Sequence, residues 1–212
     1  MTQLAEAAVK RAMDITLAAC GLVATAPGLV LIALLVRADS AGPAIFRQER
    51  VGRGGRLFRI HKFRTLQVDA GGPLISASAD RRVTRVGAVL RRTKLDELPQ
   101  LWDVLRGKMS LVGPRPEIPA YAALWPPAER ETILSVRPGI TDPASLLFRN
   151  EAEELALVPD PDQHYRTILV PRKARMYVEY VQTRSLAGDL AILLQTVRTL
   201  LTSEPRSGPP DV

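Results

Sequence analysis

Two adjacent carboxylates, Asp96 and Glu97, lie in the middle of a chain that has an excess of cationic residues. One carboxylate can act as a nucleophile, and its neighbour can bind a metal ion. Arg91 is close by in sequence. A capped amphipathic helix is the alternative, because acidic residues are also favoured at a helix N-terminus. The local pattern leaves both interpretations open.

A second group that could do chemistry is Arg115, which stands between Pro114 and Pro116. Pro114 fixes its own φ, and Pro116 restricts Arg115 to an extended conformation. A stiff backbone lowers the cost of holding a side chain in a fixed contact. The guanidinium fork suits a phosphate or a carboxylate. The segment therefore indicates anion binding, with a structural turn as the alternative.

Lys62 and Arg64 are two further cations, separated by one residue. They would share one face of an extended backbone, which is typical of either a phosphate-binding face or a solvated strand face. Segments 44–47 and 57–63 read as short extended pieces around the glycine-rich sequence 52–55. That sequence is more typical of a hairpin turn than of a phosphate-binding loop.

A long uncharged segment lies near the N-terminus, before the candidate catalytic residues. The run from Ile15 to Val36 carries no charge, and a helix of this length could cross a hydrocarbon core roughly 30 Å thick. Basic residues precede and follow it, which disfavours a single crossing because cations favour the cytoplasmic side. Pro27 interrupts the run. We therefore expect a helix that bends at Pro27 and leaves on the same face, with Thr25 bonding a carbonyl freed at the bend.

The other elements are mainly helical. The patterns predict helices over 80–92, from Leu95 onward, and over Leu186–Leu201, the last packing on the core or lying on the membrane surface. The predicted fold is mainly α with short irregular or β segments. It combines an N-terminal re-entrant membrane helix hairpin with a small cytoplasmic α/β catalytic domain and interfacial amphipathic helices. The predicted divisions are an anchor at 1–38, a catalytic domain at 39–203 and a disordered tail at 204–212.

Composition narrows the function. The net charge of +7 favours anionic partners. One cysteine excludes an internal disulfide and a Cys-rich zinc site. Aromatic residues make up 5% of the chain and are not interleaved with the cations, so no nucleic-acid partner is expected.

The assembled motifs are similar to those of the monotopic phosphoglycosyl transferases, often called bacterial sugar transferases. The matching segments are KRAMDITLAACGLVATAPGLVLIALLVR, FRQERVG, IHKFRTL, RRTKLDELPQLWDVLRGKMSLVGPRP and VRPGIT. The resemblance is close over residues 9–141 and looser beyond. The run LDELPQLWDVLRGKMSLVGPRP is long and specific, and it favours the catalytic interpretation of Asp96, Glu97 and Arg115.

The resemblance implies a reaction at a membrane surface. Asp96 would attack the β-phosphate of a UDP-sugar, forming a phosphosugar-aspartate and releasing UMP. Polyprenyl phosphate, of the undecaprenyl type, would then attack this intermediate. The product would begin assembly of a glycan such as an exopolysaccharide, an O-antigen or a glycoprotein glycan.

The resemblance also implies the partners and their sites. Glu97 would hold Mg²⁺, and the segment Pro114-Arg115-Pro116 would bind the nucleotide or its phosphates. The remaining phosphate-binding candidates are Lys62, Arg64 and Arg91. The expected location is the bacterial inner membrane, with the catalytic domain on the cytoplasmic face, in contact with the lipid bilayer and possible downstream membrane glycosyltransferases. After VRPGIT the chain departs from a common family pattern at segment 142–150, so the resemblance does not identify the sugar.

Overall fold

The computed structural model describes residues 3–68 and 80–202, and within these ranges it is mostly helical with a few short strands. This confirms the predicted mainly α architecture with short β segments. The helices are α1 Gln3–Asp39, α2 Arg85–Thr93, α3 Gln100–Leu105, α4 Pro119–Ala122, α5 Pro127–Leu134, α6 Pro143–Leu147, α7 Glu151–Ala156, α8 Pro161–His164, α9 Val170–Thr183 and α10 Leu186–Leu201. The strands are β1 Ile45–Val51, β2 Leu57–Phe63, β3 Ser110–Val112 and β4 Gly139–Thr141.

Helix α1 contains the uncharged run. In the described part of the chain it is the one helix long and apolar enough to cross a membrane, with a mean hydropathy of 2.4 in its most apolar window. Only 6% of that window is buried inside the protein. Val23 and Leu31 are 77% and 58% exposed. An apolar surface of this extent indicates a non-aqueous neighbour, which supports membrane association.

The chain stays helical through Pro27. Because Pro27 has no N–H, the carbonyl of Val23 loses its helical partner. The hydroxyl of Thr25 donates instead to the carbonyl of Gly21, at 2.7 Å. The prediction that Thr25 bonds the carbonyl freed by the proline is therefore wrong, since the side chain bonds one turn back along its own helix. Such bonds often bend helices.

Helix α1 contacts the rest of the protein on both sides of Pro27. Before the proline, the buried carboxylate of Asp14 accepts hydrogen bonds from the Ser110 hydroxyl at 2.7 Å and the Leu111 N–H at 3.1 Å. After it, Asp39 accepts from the N–H of Val86 at 2.9 Å. Helix α1 ends at Asp39, next to the predicted boundary between anchor and catalytic domain; that division stays a prediction, and the 204–212 tail lies outside the described residues.

Strands β1 and β2 form an antiparallel hairpin in which Phe46 lies opposite Lys62. The turn between them contains Gly54 and Gly55 at φ +66° and +75°. Glycine adopts this left-handed region without steric cost. The glycine-rich sequence is thus a hairpin turn, as predicted, and it presents Lys62 one residue before the end of β2.

Strands β3 and β4 form a short parallel pair, with Val112 opposite Thr141. Just beyond it the two backbones approach closely at Gly113 and Gly139. A Cβ atom on Gly113 would lie 2.6 Å from the carbonyl oxygen of Arg137 and 3.0 Å from the Gly139 nitrogen. Glycine is required here because a side chain would clash with the neighbouring backbone. The close approach of the two backbones fixes the segment that follows β3 and contains Arg115.

The two carboxylates lie on a 3₁₀ turn, Leu95–Glu97, between α2 and α3. The helix predicted from Leu95 is therefore split into a turn and α3. Lys94 precedes the turn with φ 58° and ψ 14°, and it is the one non-glycine residue with positive φ in ranges 3–68 and 80–202. This left-handed residue reverses the chain at the end of α2.

The helix predicted over 80–92 begins later, at Arg85. Val83 pairs with Leu66 in an isolated β-bridge, so the chain is extended there rather than helical. Thr84 then caps α2 by accepting a hydrogen bond from the Gly87 N–H at 3.0 Å. A threonine cap of this kind stabilises a helix start by about 1 kcal/mol.

Three clusters of buried side chains hold the elements together. The first cluster contains residues from the elements α4 through α9. The second joins the hairpin to α1, α3, β3 and α9. The third is small and joins the end of α1 to β2 and α2. Helix α10 packs Ile192 and Leu193 against the second cluster. Its outer face leaves Leu194 and Leu201 69% and 78% exposed, so the helix packs on the protein along one side and presents apolar residues along the other.

Candidate active site

Three separate elements meet at Glu97. Lys62 comes from β2, Asp96 and Glu97 come from the 3₁₀ turn after α2, and Arg115 comes from the loop after β3. The Lys62 ammonium donates to Oε1 of Glu97 at 2.7 Å. The Arg115 guanidinium uses both terminal nitrogens, with Nη1 donating to Oε2 at 3.2 Å and Nη2 donating to Oε1. The structure thus assembles four of the residues that the sequence singled out.

Glu97 is ionised in this arrangement. Its side chain is 12% exposed. Burial opposes the charge, but Arg115 and Lys62 outweigh burial and hold the Glu97 pKa well below its ordinary value. Two-point contact with a guanidinium is among the stronger hydrogen-bonded pairs in proteins. Glu97 therefore organises the two cations.

Lys62 is itself strongly affected by the site. Burial lowers its pKa from 10.5 to about 8, with Glu97 opposing that change and Arg115 adding to it. Its ammonium is thus the dominant form at neutral pH, close enough to lose its proton under mildly alkaline conditions. A buried ammonium beside a carboxylate dyad can neutralise the charge of an incoming phosphate.

Asp96 differs from its neighbour because no described residue donates a hydrogen bond to its carboxylate. The residue is 8% exposed, and its Oδ1 atom is buried without a partner. Burial raises the Asp96 pKa and Glu97 raises it further, while Lys62 and Lys94 oppose the rise. An unpartnered carboxylate surrounded by cations is available to react with an electrophile that brings negative charge.

Arg91 lies near this centre. Its Nε donates to the hydroxyl of Thr65 at 2.8 Å. Burial lowers the Arg91 pKa, and Asp96 is close enough to oppose that effect electrostatically. The contact with Thr65 leaves the terminal nitrogens of the guanidinium for other partners, so the predicted phosphate-binding role remains compatible with its position.

Arg64 is not brought to this site. Strand β2 ends at Phe63, so the alternation that would place Arg64 on the face of Lys62 no longer applies. The buried Arg64 guanidinium donates to the carbonyls of Pro43 at 2.7 Å and Ser40 at 2.8 Å, just beyond the end of α1. A cation is favoured at this end of a helix. These contacts indicate a structural role for Arg64 at the end of α1, and phosphate binding by Arg64 stays a prediction.

The two prolines around Arg115 act through their carbonyls. The Pro114 carbonyl accepts from the N–H of Gly139 at 2.9 Å. The Pro116 carbonyl accepts from Nη1 of Arg50 at 3.2 Å. The stiff backbone expected from the sequence is therefore also held from outside, on both sides of the arginine.

Binding of Mg²⁺ by the dyad stays a prediction. The described residues contain no group of three or more His, Cys, Asp or Glu side chains placed to hold a metal ion. Mg²⁺ is nevertheless often bound by one or two carboxylates together with substrate phosphates. Asp96 Oδ1 has no partner, and Glu97 Oε2 accepts one bond, from Arg115. A carboxylate oxygen has about two lone-pair sites, so the dyad retains oxygens for a cation.

Two residues that the sequence did not single out, His61 and Asp103, hold β2 against α3 next to the site. Asp103 of α3 is buried and accepts from the backbone N–H of His61 at 2.9 Å, and its Oδ1 lies 2.7 Å from His61 Nδ1. Burial raises the pKa of Asp103, against the hydrogen bonds from His61. This pair fixes β2 to α3 at the residue next to Lys62. In the sequence, the only sign of this contact is that both residues are polar and can form a hydrogen bond with each other.

Comparison with known proteins identifies the family of this chain. A family model described as bacterial sugar transferase matches residues 5–203. UDP-glucose:undecaprenyl-phosphate glucose-1-phosphate transferase of Caulobacter vibrioides is 41% identical over 202 residues, which cover 92% of this chain and 70% of that protein. A putative undecaprenyl-phosphate N-acetylgalactosaminyl 1-phosphate transferase of Bacillus subtilis is 47% identical over 116 residues, or 54% of this chain and 65% of that protein.

A third relative is the UDP-N-acetylgalactosamine-undecaprenyl-phosphate N-acetylgalactosaminephosphotransferase of Aeromonas hydrophila. It is 35% identical over 203 residues, covering 92% of this chain and 44% of the relative. The chain thus spans less than two thirds of the length of two of these three relatives. Their names share one acceptor, undecaprenyl phosphate; one names glucose as the sugar and two name N-acetylgalactosamine.

Proposed function

The chain belongs to the bacterial sugar transferase family, and we propose that it transfers a sugar 1-phosphate from a UDP-sugar to undecaprenyl phosphate and releases UMP. The acceptor is inferred from the names of relatives that match most of the chain. The product would begin a glycan such as an exopolysaccharide, an O-antigen or a glycoprotein glycan.

The observation that carries the proposal is the contrast between the two carboxylates. Glu97 is engaged by Lys62 and Arg115, whereas Asp96 accepts no hydrogen bond from the described residues and has a buried oxygen without a partner. Environments that push two neighbouring acids apart assign them different roles. Asp96 is the proposed nucleophile, and Glu97 organises cations around it.

In the first step, a carboxylate oxygen of Asp96 forms a bond to the β-phosphorus of the donor. The bond from that phosphorus to the oxygen bridging to the α-phosphate breaks, and UMP leaves with the electron pair. No oxidant or added proton is needed. The result is an acyl phosphate in which the sugar phosphate is bonded to the Asp96 carboxylate.

In the second step, a phosphate oxygen of undecaprenyl phosphate attacks the same phosphorus. The bond between phosphorus and the Asp96 oxygen breaks, which restores the carboxylate and yields undecaprenyl diphosphate sugar. Each step displaces one oxygen at phosphorus. Catalysis of such steps rests on positioning and on neutralising charge.

The cations supply that neutralisation. Lys62 and Arg115 reach Glu97 from different elements, and Arg91 is close enough to Asp96 to interact with it electrostatically. Glu97 orients two of these three groups, Lys62 and Arg115, by accepting hydrogen bonds from both. When bound at the dyad, Mg²⁺ would supply additional positive charge for the diphosphate of the donor.

The membrane part of the proposal rests on α1. The exposed apolar surface of this helix would lie in the bilayer, and both of its halves contact the catalytic body, at Asp14 and at Asp39. That arrangement supports a re-entrant path that enters and leaves one face. The catalytic part would then lie at the cytoplasmic face of the inner membrane, where the acceptor phosphate is reachable while its tail stays in lipid, and downstream membrane glycosyltransferases would use the product.

The proposal is tested by UMP release from purified full-length protein in detergent, with Mg²⁺ and undecaprenyl phosphate. The donor panel includes UDP-glucose and UDP-N-acetylgalactosamine, the sugars named in relatives. We expect release by the wild type with one or more donors and none by Asp96→Asn. Without acceptor, mass spectrometry of the wild type should show a gain of one phosphosugar. Equal release by Asp96→Asn would exclude Asp96 as the nucleophile.

A further inference from the structure

Arg115 has proline on both sides, and neither proline can donate a backbone hydrogen bond. The carbonyls are therefore the groups through which the rest of the protein can grip this short segment. The Pro114 carbonyl is held by the N–H of Gly139 at 2.9 Å. In addition, the Gly113 N–H donates to the carbonyl of Thr141 at 3.1 Å. The segment before Arg115 is thus fixed by β4.

The segment after Arg115 is fixed by a side chain from the hairpin. Arg50, in β1, donates from Nη1 to the Pro116 carbonyl at 3.2 Å and to Oε1 of Glu117 at 3.3 Å. Its Nη2 donates to Oε1 of Gln48 at 2.6 Å. Each terminal nitrogen therefore has a fixed direction, and one guanidinium joins β1 to the backbone just beyond Arg115.

Glu117 completes this support. Its Oε1 also accepts from the N–H of Ile118 at 2.8 Å, and its Oε2 accepts from the hydroxyl of Tyr165 at 2.6 Å. Its backbone carbonyl accepts from the N–H of Val51 at 2.9 Å. Glu117 is 9% exposed. Its buried carboxylate therefore connects the hairpin, the segment that contains Arg115 and the residue Tyr165 before α9.

We propose that Arg50 is a positioning residue for Arg115, acting through the Pro116 carbonyl and Glu117. This inference rests on the proposed function, because it assumes that Arg115 must meet Glu97 and the donor phosphates in a fixed geometry. The bidentate contact between Arg115 and Glu97 places its guanidinium in one orientation. A loop free to shift by an ångström would lose that orientation, and misplacements of this size can cost roughly a hundredfold in rate.

The charges favour the same interpretation. Arg50 and Arg115 are both cations and are close enough for Arg115 to lower the Arg50 pKa, after the larger effect of burial, while Glu117 opposes it. Arg50 is therefore not held near Arg115 by mutual attraction. It is held by its hydrogen bonds to Pro116, Glu117 and Gln48, which only a planar fork of donors can make together.

The test compares Arg50→Lys with Arg59→Lys, measuring kcat and donor KM for nucleotide release by the full-length protein. Arg59 is a matched control on the same hairpin, because its side chain is 69% exposed and lies 4.0 Å from an exposed glutamate. We expect Arg50→Lys to lower kcat/KM roughly tenfold or more, and Arg59→Lys to match the wild type.

A double-mutant cycle separates positioning from general damage. On an Arg115→Lys background, Arg50→Lys should cost less than about twofold, because residues acting through one another are not additive. An equal fold loss on both backgrounds, or no loss on the wild-type background, would overturn the inference. If Arg50→Lys does not fold, Tyr165→Phe removes one bond from Glu117 and is subjected to the same cycle with the same criteria. An inactive wild type would instead count against the proposed function.

Discussion

Asp96 and Glu97 are adjacent in the chain, but their carboxylates have opposite surroundings. Glu97 accepts hydrogen bonds from Lys62 and Arg115, while Asp96 accepts none from the described residues. The first arrangement stabilises a charge, and the second leaves a charge reactive and costly to bury. This contrast leads to different expected effects for the two isosteric substitutions.

Asp96→Asn should abolish transfer without lowering stability. Burial and Glu97 both raise the Asp96 pKa, so folding disfavours the charge on this side chain, and removing that charge should not destabilise the folded protein. Glu97→Gln should lower stability by roughly 1–3 kcal/mol, because the half-buried cations Lys62 and Arg115 would lose their counter-charge. Thermal unfolding in detergent, followed by intrinsic fluorescence, measures both.

The order of the two melting temperatures is the decisive readout. Asp96→Asn should melt at or above the wild-type temperature, and Glu97→Gln clearly below it. The reverse order would mean that Asp96, not Glu97, holds the cations together.

The activity of the free enzyme should fall as pH rises through about 8. Burial lowers the Lys62 pKa from 10.5 to about 8, so the ammonium that pairs with Glu97 is lost in this range. The kcat/KM profile reports ionisations of the free enzyme and is the quantity to measure. Lys62→Arg should move the alkaline limb upward, because a guanidinium keeps its proton.

Unfolding does not explain such a loss. In the unfolded chain Lys62 keeps its proton up to about 10.5, so between the two pKa values the unfolded state binds more protons. The contribution of Lys62 to stability therefore increases as pH rises across this window. An alkaline limb that stays at the same pH in Lys62→Arg would assign the titration to another group.

The parts of the site that sequence predicted share one property. Asp96, Glu97 and Arg115 belong to a single long run, 95–116, whose spacing is specific. Lys62 lies in a second motif, IHKFRTL, on strand β2. Within such runs, local sequence fixes both the residue and the element that presents it.

The parts that sequence did not predict depend on contacts between distant residues or on unusual backbone. Arg64 contacts the end of α1 because β2 ends one residue before it, and an alternation argument fails beyond the end of a strand. The hydrogen bond from Arg50 to the Pro116 carbonyl joins residues 66 positions apart. A periodic sequence pattern does not indicate a contact between such distant residues. Residue propensities also do not predict the left-handed backbone of Lys94, which separates α2 from Asp96 and Glu97.

Replacing that lysine tests whether its backbone stores strain. Lys94 lies at φ 58° and ψ 14°, a conformation that costs a non-glycine residue about 1–2 kcal/mol. Glycine removes this cost but loses about 0.5–1 kcal/mol of entropy on folding. Lys94→Gly should therefore raise stability by up to about 1 kcal/mol, measured by thermal unfolding.

Lys108→Gly is the control, since Lys108 is exposed and has negative φ; it should gain no stability. Lys94 also lowers the Asp96 pKa, against the larger effects of burial and Glu97. Its loss should therefore move the acid limb of the activity profile to higher pH. A Lys94→Gly variant less stable than Lys108→Gly would show that the lysine side chain, and not its backbone, determines this position.

Arg64 provides the remaining prediction, because its two possible roles have opposite signatures. Its buried guanidinium contacts the end of α1 through Pro43 and Ser40. Arg64→Lys cannot make these contacts together and should lower stability by about 1–3 kcal/mol. Donor KM should stay at the wild-type value below the melting temperature, as it should in Arg47→Lys, an exposed control on β1. A higher donor KM with unchanged stability would support phosphate binding by Arg64. A residue that only anchors α1 should instead change the stability of the fold and leave the donor KM unchanged.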